Sequence, residues 1–176
     1  PVDELTDFAV ESGSIVALLK MVPNQPTVLA GEGLPRVEDE IIAYTFDKFL
    51  DSHTAGDPDN EWPALLPMTK RAVRAMDAVQ QYADSIEAPF PVDNFVVTGA
   101  SKRGWATWLT AAADPRVVGI APMVIDMLNM DDSMDWHYSV LCGYSEQIHD
   151  YVDLGIMDRL HTPEGIALQN IVDPYA

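Results

Sequence analysis

The chain has 176 residues, 48% of them apolar, a single cysteine and a formal net charge of −18 at pH 7. That length accommodates one domain, residues 1–176, with a real hydrophobic core, while the charge repels phosphate backbones and anionic lipid, excluding nucleic acid as a natural partner. No apolar run is long enough to span a bilayer, the polar opening PVDELTDF shows no signal peptide, and Cys142 alone makes neither an internal disulfide nor a cysteine zinc site.

In chain order, SIVALLKMV (Ser14 to Val22) reads as a buried strand, stopped by the loop PNQP. Glu38 to Leu50 carries apolar residues at helical spacing, and the polar loop DSHTAGDPDNEWP follows. Leu65 to Tyr82 predicts a second helix, with Leu66, Ala72, Val73, Met76, Val79 and Ala83 on its apolar face and Pro67 in its first turn. Glu87 to Pro91 breaks that pattern. Asn94 to Thr98 reads as a short strand, Lys102 to Ala113 as a third helix ending at Asp114-Pro115, and Arg116 to Ile125 as another strand. The last third mixes loop signals with short apolar runs and is assigned as helix. Strands alternating with helices predict an α/β protein with a parallel sheet. Chemistry in such sheets gathers at the carboxyl ends of the strands. Those ends lie at Thr98-Gly99, at Ile125-Asp126 and at Val22.

The segment VVTGASKRGWATWL poses the central question. Gly99, Ala100 and Ser101 match the first half of the nucleophile-elbow pattern G-x-S-x-G, but the second glycine falls one residue late, at Gly104. An elbow holds its serine at strained backbone angles, so small neighbours must make room against the adjoining strand and helix. The N–H groups at the start of that helix favour an oxyanion. The alternative is that Ser101 caps the helix in the ordinary way.

MVPNQP, EDEIIAYTFDKFL, EWPALLPMTKRAVRAMDAVQ, FVVTGASKRGWATWLTAAADPRVVGIAPMVIDMLNM, GYSEQIHDY and NIVDPY together resemble the PhoPQ-activated pathogenicity-related protein family, from about Asp3 to Tyr175. The resemblance implies an α/β-hydrolase-like parallel sheet with flanking helices, export from the cell, and Ser101 as the nucleophile. GASKRG is also similar to the serine motif of glucuronoyl esterases, where a basic residue follows the serine. That similarity gives Lys102 a backbone N–H facing the oxyanion and an ammonium able to help neutralise it; the plain alternative is a solvated lysine in a first helical turn. In hydrolases of this class a second oxyanion donor lies in the loop after an earlier strand. Asn24 and Gln25 of PNQP are the candidates for this substrate-binding role, unless PNQP is only a turn. Asp126 stands where some such enzymes carry the orienting acid, or else begins an acidic loop.

The serine needs a base. His53 precedes it, and His137, His149 and His161 follow without a strand-then-loop context. The family pattern continues past NIVDPY, so the resemblance implies a fragment lacking the C-terminal strands and the histidine they carry. Residues 127–170 read as a lid or insertion. The segment from Asp126 to Asp158 holds eight acidic residues and no Lys or Arg, without the ligand spacing of a calcium loop. A solvated acidic face is the simplest account of it, and a calcium-binding or adhesive surface is the alternative. No cofactor motif or metal site is evident, and hydrolysis needs neither. The expected reaction is acyl transfer to water from an ester or amide, the substrate being a small-molecule, glycan or peptide ester in the first instance. The rival is a non-catalytic binding or signalling protein on the same scaffold.

Overall fold

A computed structural model describes residues 2–88 and 90–176. The elements run α1 (Val2–Ser12), β1 (Thr27–Val28), β2 (Pro35–Arg36), α2 (Asp39–Thr54), α3 (Leu65–Ser85), β3 (Phe95–Ala100), α4 (Lys102–Ala113), β4 (Val117–Met123), α5 (Met130–Leu141), α6 (His149–Asp153) and α7 (Pro163–Val172). Single 3₁₀ turns at Glu146–Ile148 and Met157–Arg159 flank α6. The architecture is mixed α/β.

β3, α4 and β4 form the unit that carries Ser101. The two strands pair in parallel, Val97 beside Ile120 and Ala100 beside Met123, and α4 packs on one face of the pair. The opposite face leaves Val96 and Val118 exposed. α3 also packs against α4. Among the described residues this is the whole of the parallel sheet. Among the described residues the other strand pair is the antiparallel β1–β2, Thr27 opposite Arg36.

The core is built around α2. Asp39 and Glu40 in its first turn suit the positive end of the helix dipole. Its residues Ile41, Ile42, Ala43, Phe46, Phe49 and Leu50 are all buried. Phe46 meets Trp105 of α4 edge to face at 5.7 Å and Tyr151 of α6 at 6.2 Å. Ile156, Leu160, Leu168 and Val172 join the same cluster, so residues 127–170 contribute directly to the core around α2. Trp105 also donates its indole N–H to the Val172 carbonyl at 2.6 Å, tying α4 to the end of α7. Met130 and Met134 are buried core residues, whereas Met123 is exposed.

Several expectations change. Ser14 to Val22 is not a strand: no backbone hydrogen bond joins 15–21 to another segment among the described residues. Ile15, Leu18, Leu19 and Met21 are exposed, and Val22 alone of the apolar run is buried. An apolar run becomes a strand only where a neighbour accepts its ladder. On α3 the expected apolar face holds at Met76 and Ala83, which are buried, and at Ala72, Val73 and Val79, which are partly buried; it fails at Leu66, which faces out while Leu65 and Met68 turn inward. α1 lies in a stretch with no predicted element. The break at Glu87 to Pro91 includes Pro89, which lies outside the described residues.

Candidate functional site

Ser101 joins the end of β3 to the start of α4 with φ 54° and ψ −130°. This is a conformation that a residue with a Cβ adopts only at a cost of about 1–3 kcal/mol. The backbone around it is held on both sides. Ser101 N–H donates to the Met123 carbonyl at 2.9 Å, extending the β3–β4 ladder, and Trp105 N–H donates to the Ser101 carbonyl at 3.0 Å. The Ser101 hydroxyl caps no N–H of α4. Two other helical starts in the chain show what a conventional cap looks like here. Thr162, at φ −80° and ψ 162°, accepts from Gly165 N–H, and Ser145, at φ −64° and ψ 143°, accepts from Gln147 N–H. Both have extended backbone, as capping requires. Ser101 differs in backbone and in bonding, so the capping alternative does not describe it.

The glycines flanking the turn are there for space. A Cβ on Gly99 would lie 2.6 Å from the Arg103 carbonyl oxygen. On Gly104 it would lie 2.6 Å from Ile125 Cγ2, 2.9 Å from the Gly99 oxygen and 3.0 Å from the Met123 oxygen. The late glycine at 104 therefore lets α4 cross the strand ends at backbone contact.

Beside the turn lies a charged cluster. Lys102 is 4% exposed, and its Nζ lies 2.5 Å from Glu38 Oε2 and 3.2 Å from Asp39 Oδ2. Arg103 reaches both oxygens of Glu38 at 3.3 Å. The Gln25 side-chain amide donates to Glu38 Oε1, and Glu38 N–H donates back to Gln25 Oε1 at 3.0 Å. Bonds from Lys102, Gln25 and Arg103 hold the Glu38 carboxyl down at about 2. Asp39 in turn accepts from the Tyr151 hydroxyl at 3.1 Å. Burial, together with the Asp39 carboxylate, pushes the Tyr151 phenol well above its usual range.

A family model described as PhoPQ-activated pathogenicity-related protein matches residues 2–176. The chain belongs to that family. Autocrine proliferation repressor protein A of Dictyostelium discoideum is 41% identical over 165 residues, which are 94% of this chain and 32% of that protein. The chain thus spans about a third of the length of the curated relative it matches. No solved structure matches it.

In this member of the PhoPQ-activated pathogenicity-related family, the sequence-derived site residues fall into two groups. Lys102, the sequence neighbour of Ser101, and Gln25 are joined through Glu38. Asn24 sits on the same loop, its side-chain oxygen accepting from Arg71 at 2.6 Å and its carbonyl from Thr27 Oγ1 at 2.5 Å. Asp126 is exposed, three residues beyond the end of β4 and past Val124, which has φ 46°. The four histidines are engaged elsewhere. His53 stacks on Phe49 and bonds Asn60, and His137 accepts from Ser145 N–H. His149 bonds the Glu146 carbonyl, and His161 lies 3.2 Å from Asp135. None of them bonds Ser101. The Glu146 carbonyl and the Asp150 carboxylate raise the His149 pKa. Among the described residues no group of His, Cys, Asp or Glu is disposed to hold a metal. No helix among them is long and apolar enough to cross a membrane.

Glu38, Asp39 and Tyr151 were not singled out by the sequence. The one available signal was the run Glu38-Asp39-Glu40, more acid than a helix start needs.

Proposed function

We propose that this chain carries the nucleophile of a serine hydrolase of the α/β class, acting on small-molecule, glycan or peptide esters. The observation that carries the reading is Ser101 at φ 54° and ψ −130° between a parallel strand and a helix, its hydroxyl uncommitted to capping. In this reading Ser101 Oγ attacks the ester carbonyl carbon and its proton passes to a base. The carbonyl oxygen, now negative, takes the Lys102 backbone N–H and a donor from the Asn24–Gln25 loop. Collapse breaks the bond to the leaving alcohol, which departs with a proton. Water then attacks the acyl-serine and restores the hydroxyl. Asp126 is the proposed orienting acid. Residues 1–176 act as one α/β-hydrolase-like unit, exported as the family resemblance implies.

The second reading is a non-catalytic binding or signalling protein on this scaffold. Its support is that all four histidines have partners other than Ser101, together with the signalling name of the Dictyostelium relative.

A fluorophosphonate probe separates the two. The hydrolase reading expects covalent labelling of the intact protein that mass spectrometry maps to Ser101 and that Ser101→Ala removes. A folded protein that stays unlabelled would favour the signalling reading.

A further inference from the structure

We infer that Glu38 is a positioning residue for Ser101, fixing the start of α4 and the loop 23–26 to one another. This rests on the hydrolase reading above.

Glu38 stands just before α2 at φ 48° and ψ −128°, nearly the backbone of Ser101, and its carboxylate caps nothing in its own helix. A non-glycine residue keeps such a conformation only where its surroundings over-determine it. Here the surroundings are the two sides of the candidate site. Oε2 takes Lys102 and Oε1 takes Gln25, while Arg103 spans both. The reciprocal bonds between Glu38 and Gln25 fix the loop in two directions at once.

Charge explains why an acid is needed at this position. Lys102 and Arg103 are the first two residues of α4, where the helix dipole is already positive and cations are disfavoured. α4 has no acid of its own in that turn. Glu38 supplies the negative charge from across the site, and Asp39 adds a second carboxylate on Lys102. The Lys102 ammonium is thereby offset by two carboxylates. The donor it leaves for an oxyanion is its backbone N–H, and its side chain serves as the anchor for that N–H. Glu38 touches Lys102, Arg103 and Gln25, and acts through them.

The test is the kinetics of covalent capture of Ser101 by a fluorophosphonate in the intact protein. The rate constant at saturating probe is expressed per folded molecule, with folding monitored by thermal unfolding. Glu38→Gln keeps the shape and removes the charge. It is expected to lower the saturating rate constant about tenfold, with little change in the probe concentration giving half that rate. Lys102→Gln should lower it similarly. The double variant should be slowed by less than the product of the two single effects, because the Glu38–Lys102 contact is shared by both. A merely structural role would reduce the folded fraction and leave the rate constant per folded molecule at the wild-type value, which overturns the inference. Should Glu38→Gln yield no folded protein, Glu38→Asp is read in its place. Retracting the carboxylate by one methylene should slow capture, and a wild-type rate overturns the inference. A wild-type protein never labelled at Ser101 overturns the hydrolase reading and this inference with it. A labelled wild type with an unchanged Glu38→Gln overturns the inference alone.

Discussion

Gly104→Ala probes how α4 meets the strand ends. Its new Cβ would sit 2.6 Å from Ile125 Cγ2, 2.9 Å from the Gly99 oxygen and 3.0 Å from the Met123 oxygen. Ile125 can rotate away, but the other two atoms are backbone, so the helix itself must lift from the sheet. Overpacking of this kind costs about 3 kcal/mol. Alanine in a helix interior returns about 1 kcal/mol over glycine. The net loss is then about 2 kcal/mol, or a fall in melting temperature of roughly 4–8 °C for a chain of this size. Gly119→Ala on β4 is the matched control. Its Cβ would meet Val96 Cγ2 at 3.5 Å, an ordinary contact, so the variant should be neutral or more stable by up to about 1 kcal/mol. Scanning calorimetry of the two variants beside the wild type reads the difference directly. A Gly104→Ala variant melting at or above the wild type would refute the close-approach account, as would a Gly119→Ala variant that falls equally far.

Ser101→Gly should relieve the positive φ and raise stability by about 1 kcal/mol, seen as a higher urea midpoint, while removing the hydroxyl. No gain in midpoint would mean the turn is not strained. The Asp173 carboxylate is 8% exposed and accepts from the N–H groups of Asn129, Met130 and Tyr175. Asp173→Ala leaves the Asn129 and Met130 donors unmet at the start of α5, and that of Tyr175 just after α7, and should cost about 2 kcal/mol in urea unfolding; a loss under about 0.5 kcal/mol would count against the capping role. Glu38 stays ionised in the folded protein down to about 2, whereas the unfolded chain protonates it near 4.5. Its stabilisation is complete above pH 4.5 and fades as pH falls towards 2, so the stability of Glu38→Gln should decline less than that of the wild type across this window. Parallel profiles in acid urea titrations would contradict it.

The helices were legible where their pattern was local. Lys102–Ala113 has the bounds expected from a strand, a glycine-rich turn and the stop at Asp114-Pro115. α2 and α3 extend only a few residues beyond their apolar periods, since their ends are set by exposed turns. SIVALLKMV misled because strand propensity is a preference for a pleated, half-buried surface, and no neighbour offers one here. Leu65 and Leu66 are adjacent and equally apolar, so only the tertiary contact with the core decides which faces inward. At the site, the spacing of GASKRG left elbow and cap open, and the backbone angles of Ser101 decide against the cap. Glu38 was beyond reach, because its partner Lys102 lies 64 residues away and nothing in the acid run names that partner.

The Trp105–Val172 hydrogen bond spans 67 residues. On the ribosome, at about 5–20 residues per second, α4 is made several seconds before the carbonyl its indole will bond. During that interval Trp105 has Phe46 behind it, already synthesised, and no acceptor in front. The serine turn is thus written early, and the seal over its helix closes late, when α7 arrives. Formation of this one bond marks the point at which α4, which begins right after Ser101, is tied to the end of α7.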